Sequence, residues 1–315
     1  MPKISVIIPV FNETEVIDVT YKRMKSVMDG IEMEYELIFV NDGSRDDTEH
    51  KIAGYAKKDR TVKLLSFSRN FGHQCAISAG MDYASGDAVV VIDADLQDPP
   101  ELIPKMIKKW QEGYEVVYGK RLKRKGETLF KKATAKLFYR TLKHLTSVDI
   151  PVDTGDFRLI DRKVCDVFRR LQEKNRFIRG LVSWIGFRQT YVEYVREERL
   201  AGETKYPLKK MMRFAMDGIL SFSYIPLKIA SFLGFLISGL SFLYLIFVLI
   251  QKLFYPAGLV PGWTSIVAVL LIFNGIILIL LGVIGEYIGR IYDEVRNRPL
   301  YIIDKKVNLD DEGVE

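Results

Sequence analysis

The sequence predicts an α/β fold with a mostly parallel sheet, followed by an interfacial helical segment and two transmembrane helices. Over residues 4–92, apolar runs of strand length alternate with segments of helical spacing, which is typical of a parallel sheet with right-handed crossovers. Two long stretches near the carboxyl terminus contain no charged residue. Acidic and amide side chains follow several predicted strands, at the end where open α/β sheets bind their ligands.

Strand and helix patterns alternate regularly in the amino-terminal region. The predicted strands are 4–11, 35–40, 62–67 and 88–92. The predicted helices between them are 13–28, 46–56 and 73–84. No G-x-G-x-x-G turn follows the first strand and no G-x-x-x-x-G-K-[ST] loop is present. The usual phosphate-binding turns of nucleotide folds are therefore excluded, and phosphates must be held in another way.

The two uncharged stretches, 229–250 and 253–285, are long enough to cross a membrane. A transmembrane helix needs about 20 apolar residues, so we predict two spans at about 229–251 and 264–286. The alternative is a buried helical hairpin in a soluble core. Charge-free runs of this length are rare in soluble folds, which favours the transmembrane interpretation.

The distribution of charge predicts the topology. No long apolar segment precedes the first strand, so we expect no signal peptide and a cytosolic amino-terminal region. Lysines and arginines flank the outer ends of both spans, whereas only Lys252 lies between them, which places both termini in the cytoplasm of a multi-pass cell-membrane protein. The predicted organisation is a cytosolic domain 1–205, an amphipathic interfacial segment 206–228, a transmembrane hairpin 229–286 and a cytosolic tail 287–315.

Net charge and cysteine content narrow the class of partner. The net charge of +6 arises mainly from basic residues around 120–140 and beside the spans. Next to a membrane, such charge meets anionic head groups or a lipid phosphate, and no zinc-finger spacing or aromatic RNA-binding pattern is present, so we expect no nucleic acid. Cys75 and Cys165 are assigned neither a disulfide nor a metal.

The segment DADLQ at 93–97 is the strongest candidate for a binding site. Residues two apart on an extended backbone point the same way, so Asp93, Asp95 and Gln97 present three oxygen ligands to one small space. Mg²⁺ or Mn²⁺ prefers such ligands and completes its shell with waters and phosphates. An acidic surface turn closed by Pro99 and Pro100 is the plainer interpretation, which the preceding buried strand disfavours.

Polar clusters also follow the first two strands. Glu13 comes just after the first strand and Asp42 just after the second, and adjacent parallel strands bring these two ends together. Their carboxylates suit hydrogen bonds from a base or from ribose hydroxyls. A helix cap at Asn12 and a tight turn at Asp42 explain the same residues structurally, and both interpretations are compatible.

Several motifs resemble those of the family 2 glycosyltransferases of GT-A fold. They are SVIIPVFNE (5–13), VNDGSRDDT (40–48), SRNFGHQCAISAGMDYASGD (68–87), DADLQDPPE (93–101), GKR (119–121), TGDFRLIDR (154–162) and RLAGETKY (199–206). More closely, the chain is similar to the polyisoprenyl-phosphate glycosyltransferases. These include the dolichyl-phosphate mannose synthases and, through the two spans and EYIGRIYDEVRNRPLYI (286–302), the bactoprenol glucosyltransferases.

The resemblance covers essentially the whole chain and implies a reaction. One sugar passes from a nucleotide sugar, with inversion, to a polyprenyl (undecaprenyl) phosphate on the cytosolic leaflet, giving a product for cell-envelope glycan modification. Glucose from UDP-glucose is the expected donor, while UDP-galactose, UDP-N-acetylglucosamine and an aminoarabinose donor remain open. Mg²⁺ or Mn²⁺ is the expected cofactor, and we expect a homo-oligomer.

The resemblance also assigns roles residue by residue. Around the base and ribose it places Pro9, Phe11, Glu13, Val40 and Asp42. Asp93, Ala94 and Asp95 are to contact the nucleotide, and Asp95 and Gln97 the metal. Phosphates of donor or acceptor are to meet Arg121, Arg199 and Lys205. Asp156 is expected near the transferred sugar, either as a base or as a group that orients a hydroxyl or an arginine. Arg199 and Lys205 also read as ordinary charges before a membrane helix.

Two other functions fit the same motifs. A processive polysaccharide synthase shares the donor site but extends a glycan, and the absence of a Q-x-x-R-W motif argues against it. A catalytically idle membrane scaffold or flippase partner of the same fold is the second alternative. The intact Asp93, Asp95 and Gln97 argue against that one.

Overall fold

The computed structural model describes residues 2–122, 154–171, 173–196, 225–254 and 262–309. The chain divides into two compact units. The first comprises residues 1–218 together with 298–315, and the second comprises residues 219–297. Within the described residues the first unit is an α/β domain and the second contains two long helices.

Eight strands of the described chain form one sheet. They are β1 (Lys3–Val10), β2 (Glu34–Asn41), β3 (Val62–Phe67), β4 (Ala88–Val91), β5 (Val116–Arg121), β6 (Thr154–Asp161), β7 (Gln189–Tyr194) and β8 (Ile303–Val307). Their order is β7-β5-β6-β4-β1-β2-β3-β8. The pairs β1–β2, β1–β4, β2–β3 and β5–β7 are parallel, and the three pairs that involve β6 or β8 are antiparallel. The predicted α/β fold with a mostly parallel sheet is confirmed.

Six helices of the first unit connect the strands, and two helices make up the described part of the second. They are α1 (Ile17–Asp29), α2 (Thr48–Lys58), α3 (His73–Tyr83), α4 (Ile103–Gln111), α5 (Arg162–Arg169), α6 (Ile178–Ile185), α7 (Ile225–Phe254) and α8 (Trp263–Val295). The predicted helices 13–28, 46–56 and 73–84 correspond to α1, α2 and α3.

The core forms where apolar strands are covered on both faces. All four residues of β4 are buried, and β1 is buried along its whole length apart from Lys3. Continuous apolar runs of this kind are typical of central parallel strands. Helix α1 buries Ile17, Met24 and Met28, which lie on one helical face, against the sheet.

The order in which strands are added to the sheet reverses beside β1, and this reversal determines where a ligand site forms. Strand β1 lies between β2 and β4, so the chain first winds outward through β2 and β3 and then returns to the other side of β1. Open α/β sheets bind ligands at such a switch point, outside the carboxyl ends of the strands. The loops that follow Val10, Asn41 and Val91 all emerge at this edge.

Helices α7 and α8 contain the two predicted spans, 229–251 and 264–286. Among the described residues, one helical stretch is long and apolar enough to cross a membrane, Ile272–Val295 in α8. A span in α7 therefore stays a prediction. Helix α8 has 33 residues. At 1.5 Å per residue it is about 50 Å long and exceeds the roughly 30 Å apolar core of a bilayer.

The carboxyl-terminal segment belongs to the α/β unit. Strand β8 pairs antiparallel with β3, so a segment that follows α8 completes the sheet at that edge. The ring of Tyr301 stacks on Phe67 with 5.1 Å between centroids, and the Tyr301 hydroxyl donates to Asp82 Oδ2 at 2.8 Å. Of the predicted tail 287–315, residues 298–315 are thus part of the α/β unit, whereas residues 287–297 belong to the second unit.

A buried ion cluster joins the amino ends of the central strands. Glu36 on β2 is 1% exposed, and its Oε2 lies 2.8 Å from Lys3 Nζ and 2.7 Å from Lys63 Nζ. Ser5 Oγ and the Ser85 backbone N–H donate to Oε1 at 2.5 and 2.8 Å. Burial opposes ionisation, but hydrogen bonds from Lys3, Lys63 and Ser5 outweigh it and lower the pKa of Glu36 to about 2.

This cluster makes stability depend on acid pH. Because the pKa of Glu36 is lower in the folded chain than in the unfolded chain, its contribution is present above about pH 4.5 and is lost as pH falls towards 2. The loss should reach about 3 kcal/mol of unfolding free energy. We therefore expect the stability difference between wild type and Glu36→Gln to be largest near neutral pH and to shrink below pH 4.5.

Urea unfolding of the full-length chain in detergent, followed between pH 7 and pH 3, checks this expectation. The matched control is Glu34→Gln, which alters an exposed glutamate on the same strand and should leave the pH dependence unchanged. A constant difference between wild type and Glu36→Gln over this pH range would contradict the assignment.

Candidate active site

The predicted base and ribose contacts lie at the carboxyl ends of β1 and β2. Pro9 and Val40 are paired in register on these strands, and both are buried or nearly so. Phe11 follows β1 and is 36% exposed. Aromatic rings can stack on a base, and this role of Phe11 stays a prediction.

Side-chain hydrogen bonds hold the loops after β1 and β2 together. Asn12 adopts a φ of 54°, its backbone N–H donates to Ser44 Oγ at 2.9 Å, and its Oδ1 accepts from the Arg45 N–H at 2.8 Å. The N–H of Glu13 donates to Thr48 Oγ1 at 2.9 Å. The structure brings Glu13 and the loop after β2 together, as the parallel pairing predicts.

Asp42 is 4% exposed and is held by the loop before α3. Its carboxylate accepts from the backbone N–H groups of Phe71 at 2.7 Å and Gly72 at 3.0 Å. Burial raises the pKa of Asp42, and these two hydrogen bonds partly offset that effect. The residue fixes the shape of this loop, so its second role at a base or ribose remains a prediction.

The loop 93–97 leaves β4 at the switch point. Ala94 is buried and its carbonyl accepts from Thr20 Oγ1 at 2.7 Å, which anchors the loop to α1. Leu96 has a φ of 55°, and the Gln97 N–H donates to Asp95 Oδ1 at 3.1 Å. The backbone therefore turns sharply here and does not remain extended through Gln97 as the strand-like spacing predicts.

The donor set of this loop fits a hard divalent cation. Asp93 Oδ1 is buried and accepts no hydrogen bond from the described residues. Burial raises the pKa of Asp93 to about 6, the charge of His73 opposes this rise, and other carboxylates add to it. A cation beside the loop would compensate this charge. The described residues contain no group of three or more His, Cys, Asp or Glu side chains placed to hold a metal. A metal held by Asp95 and Gln97 would therefore complete its shell with phosphate and water.

Asp156 faces this loop from β6. The antiparallel register pairs Val91 with Arg158, and continuing it by two residues brings Asp156 opposite Asp93. Arg179 on α6 grips Asp156 with two hydrogen bonds, Nε to Oδ1 at 2.8 Å and Nη2 to Oδ2 at 3.1 Å. Both carboxylate oxygens are thereby engaged by one guanidinium fork.

His73, the first residue of α3, lies between the two aspartates. Its Nε2 is 3.4 Å from Asp156 Oδ2 and 3.5 Å from Asp93 Oδ1. Burial lowers the pKa of His73, but the hydrogen bond to Asp156 and the two negative charges prevail and raise it to about 9. Burial likewise opposes ionisation of Asp156, yet the charge of Arg179 and the hydrogen bond from His73 hold its pKa well below the usual range. The cluster is therefore an ionised network at neutral pH.

Arg121 is held by a second buried carboxylate. Its Nη2 lies 3.1 Å from Asp98 Oδ2, and its Nε donates to the Tyr194 hydroxyl at 3.0 Å. A Cβ on Gly155 would lie 2.4 Å from Arg121 Nη2, so the guanidinium occupies space that only glycine leaves open. Arg121 thus reaches the site already paired with a carboxylate.

Two other predicted phosphate contacts, Arg199 and Lys205, lie outside the described residues, as do residues 206–224 and the basic run 123–140. Several polar residues at the site were not singled out from sequence. They are His73, Asp98, Arg158, Arg179, Tyr194 and Arg196. His73 lies within a motif that carries the family resemblance, which was the one available indication of its importance.

Comparison with known proteins gives relatives over nearly the whole length. The chain is 62% identical over 306 residues to the uncharacterized glycosyltransferase YkcC of Bacillus subtilis (strain 168), covering 97% of this chain and 94% of the relative. It is 45% identical over 303 residues to the SfII prophage-derived bactoprenol glucosyl transferase of Shigella flexneri, covering 96% of this chain and 98% of the relative.

Among solved structures, glucosyl-3-phosphoglycerate synthase from Mycobacterium tuberculosis, in complex with Mn²⁺, UDP-glucose and phosphoglyceric acid, matches with a TM-score of 0.47. The sequence identity is 21%, and the match covers 70% of this chain and 79% of that chain. The family described as glycosyl transferase family 2 matches residues 5–168, which include β1 from its third residue, β2 to β6 and the loop 93–97. With this match and the near-full-length relatives, the chain belongs to glycosyl transferase family 2.

Proposed function

We propose that this chain transfers a single glucose, with inversion, from UDP-glucose to a polyprenyl phosphate at the cytosolic face of a membrane. The observation that carries the proposal is the similarity to a bactoprenol glucosyl transferase over 96% of this chain. The similarity extends over both the candidate site and the long apolar helix, and the relative's name supports a polyprenyl phosphate as the acceptor.

The chemistry requires little proton transfer. An oxygen of the acceptor phosphate attacks the anomeric carbon, the bond from that carbon to the UDP oxygen breaks, and UDP departs with the electron pair. A phosphate monoester has a second pKa of about 6, so its oxygen is ionised near pH 7 and needs no strong base. The main task of the protein is to orient the two substrates and to stabilise negative charge.

Asp156 suits a positioning role better than that of a base. Its two oxygens are occupied by Arg179, and its pKa is held well below the usual range by Arg179 and His73 against the effect of burial. A carboxylate of that kind is a weak proton acceptor at neutral pH. We assign to Asp156 the orientation of Arg179 and His73 beside the transferred sugar.

The loop 93–97 is assigned to the diphosphate of the donor. Asp95 and Gln97 would hold Mg²⁺ or Mn²⁺, with Asp93 and Ala94 beside the nucleotide. When bound, the cation supplies neutralisation of the charge on the departing UDP. Arg121, Arg199 and Lys205 are assigned to phosphate groups of the donor or the acceptor.

The reaction can be tested with membranes from cells that express the chain. We expect label from radioactive UDP-glucose to enter the lipid extract when undecaprenyl phosphate is added, with less from UDP-galactose or UDP-N-acetylglucosamine. Membranes without the chain provide the control. Label in a growing polymer would instead support a processive synthase, and no transfer from any nucleotide sugar would contradict the proposal.

Removing Asp95 should remove most of the activity. We expect Asp95→Ala to lower the rate of transfer by about 100-fold or more, because the diphosphate loses its connection to the protein, and Asp95→Asn to retain a little through its amide oxygen. The matched control is Asp87→Asn. Asp87 directly precedes β4, at the end of the strand opposite the loop 93–97, and its Oδ2 accepts from the Lys3 N–H at 2.7 Å. Near-normal turnover of Asp95→Ala at saturating Mg²⁺ would exclude the assigned role.

The proposed topology can be tested with fused reporters. A reporter after Glu315 should behave as cytoplasmic and one inserted at Gly258 as external, because basic residues flank the outer ends of the predicted spans. Each fusion must retain sugar transfer for its result to count. An external reporter after Glu315 would overturn the two-span arrangement.

A further inference from the structure

Asp98 is a buried carboxylate shared by two guanidinium groups. It is 1% exposed, and Arg121 Nη2 lies 3.1 and 3.3 Å from its two oxygens. The hydroxyl of Tyr194 also donates to Oδ1. Arg196 Nε lies 3.6 Å from the same oxygen, Asp98 Oδ1. One negative charge thus faces two positive charges.

Arg196 lies just beyond the end of β7 and is the less satisfied of the two. Its Nε is buried and makes no hydrogen bond to any described residue. The 3.6 Å separation from Asp98 is too long for a hydrogen bond. Burial and the charge of Arg121 lower the pKa of Arg196, and the charges of Asp98 and Asp95 oppose that effect.

The packing around Arg121 leaves it little freedom to compensate. Asp98 and Tyr194 fix its guanidinium, and the missing side chain at Gly155 gives it the space it fills. The oxygens of Asp98 are already engaged by Arg121 and Tyr194. The buried donor of Arg196 therefore calls for an acceptor that the described chain does not supply, and a buried unpaired donor costs free energy.

The chemistry of a suitable acceptor follows from this arrangement. Relative to Asp98, the two guanidinium groups carry one positive charge in excess, which an anion would pair with. A phosphate group offers several oxygens and can accept from both guanidinium groups at once. Asp98 directly follows Gln97, and Arg196 Nε lies 3.6 Å from Asp98, so this place is beside the loop assigned to the donor diphosphate.

We propose that Arg196, together with the Asp98-held Arg121, binds a phosphate group of a substrate. The proposal rests on the function proposed above, since that reaction brings two sources of phosphate to the site. One is the diphosphate of the nucleotide sugar, and the other is the monophosphate of the lipid. Of the two arginines, Arg196 is the one with a buried donor left for a phosphate oxygen, because the hydrogen bonds of Asp98 go to Arg121 and Tyr194.

Variants of Arg196 in the full-length chain in detergent test this. Arg196→Ala removes the cation, and Arg196→Lys keeps the charge but loses the planar fork. The matched control is Arg188→Ala, at the opposite end of β7, where the guanidinium packs over Tyr114 at 5.1 Å. Calorimetric binding of UDP and of undecaprenyl phosphate, each with Mg²⁺ present, is measured alongside the two KM values and kcat.

We expect Arg196→Ala to weaken binding of one phosphate ligand by about tenfold or more and Arg196→Lys to weaken it less. A loss confined to undecaprenyl phosphate assigns the acceptor phosphate, and a loss confined to UDP assigns the donor diphosphate. Arg188→Ala should bind both ligands as wild type does.

Other results would overturn the proposal. If Arg196→Ala bound both ligands with unchanged affinity, Arg196 would be a structural counter-charge for Asp98. The same conclusion would follow if Arg196→Lys had a lowered melting temperature but normal binding. A loss confined to kcat would also contradict a binding role. The direct binding measurements need no sugar transfer, so they still decide about Arg196 if the wild-type chain fails to glucosylate the lipid.

Discussion

Asp93, Asp95, Asp98 and Asp156 lie at one edge of the sheet, where each of the others raises the pKa of Asp93. Like charges repel strongly when little water separates them. Cations from other elements reduce this repulsion. His73 and Arg179 pair with Asp156, and Arg121 pairs with Asp98. The geometry of the site depends on this compensation, because removing one of these cations would leave buried negative charge less fully compensated.

The carboxylates and cations of the site come from two different parts of the sheet. The parallel half, β1 to β4, delivers the loops assigned to the nucleotide, whereas β6 and the elements after it deliver Asp156 and Arg179. The antiparallel entry of β6 beside β4 is what sets Asp156 across from Asp93. In this GT-A-like family 2 fold, the cations beside the loop 93–97 therefore come from both parts of the chain: His73 precedes the loop, and Arg179 follows it in α6.

The fold of the α/β domain could be predicted because the patterns that indicate its strands and helices lie within short stretches of sequence. The apolar runs of β1 and β4 and the polar residues that end them are visible in the sequence, and so is the acidic loop 93–97. The partners of Asp156 could not be predicted, because Arg179 is brought to it by tertiary packing and has no local pattern. His73 reads from sequence as an ordinary helix start, and the turn at Leu96, with its φ of 55°, has no apparent sequence marker.

Strand β8 has a consequence for how the protein is made. The Asn308 side chain donates to the carbonyls of Ala56 and Val62, 252 and 246 residues earlier in the chain. A ribosome adding about 5–20 residues per second needs roughly 10 to 50 s to cover that distance. During this interval the outer edge of β3 is an unpaired strand, a surface prone to wrong pairing. The eight-stranded sheet of the described chain is complete only after both long helices have been synthesised.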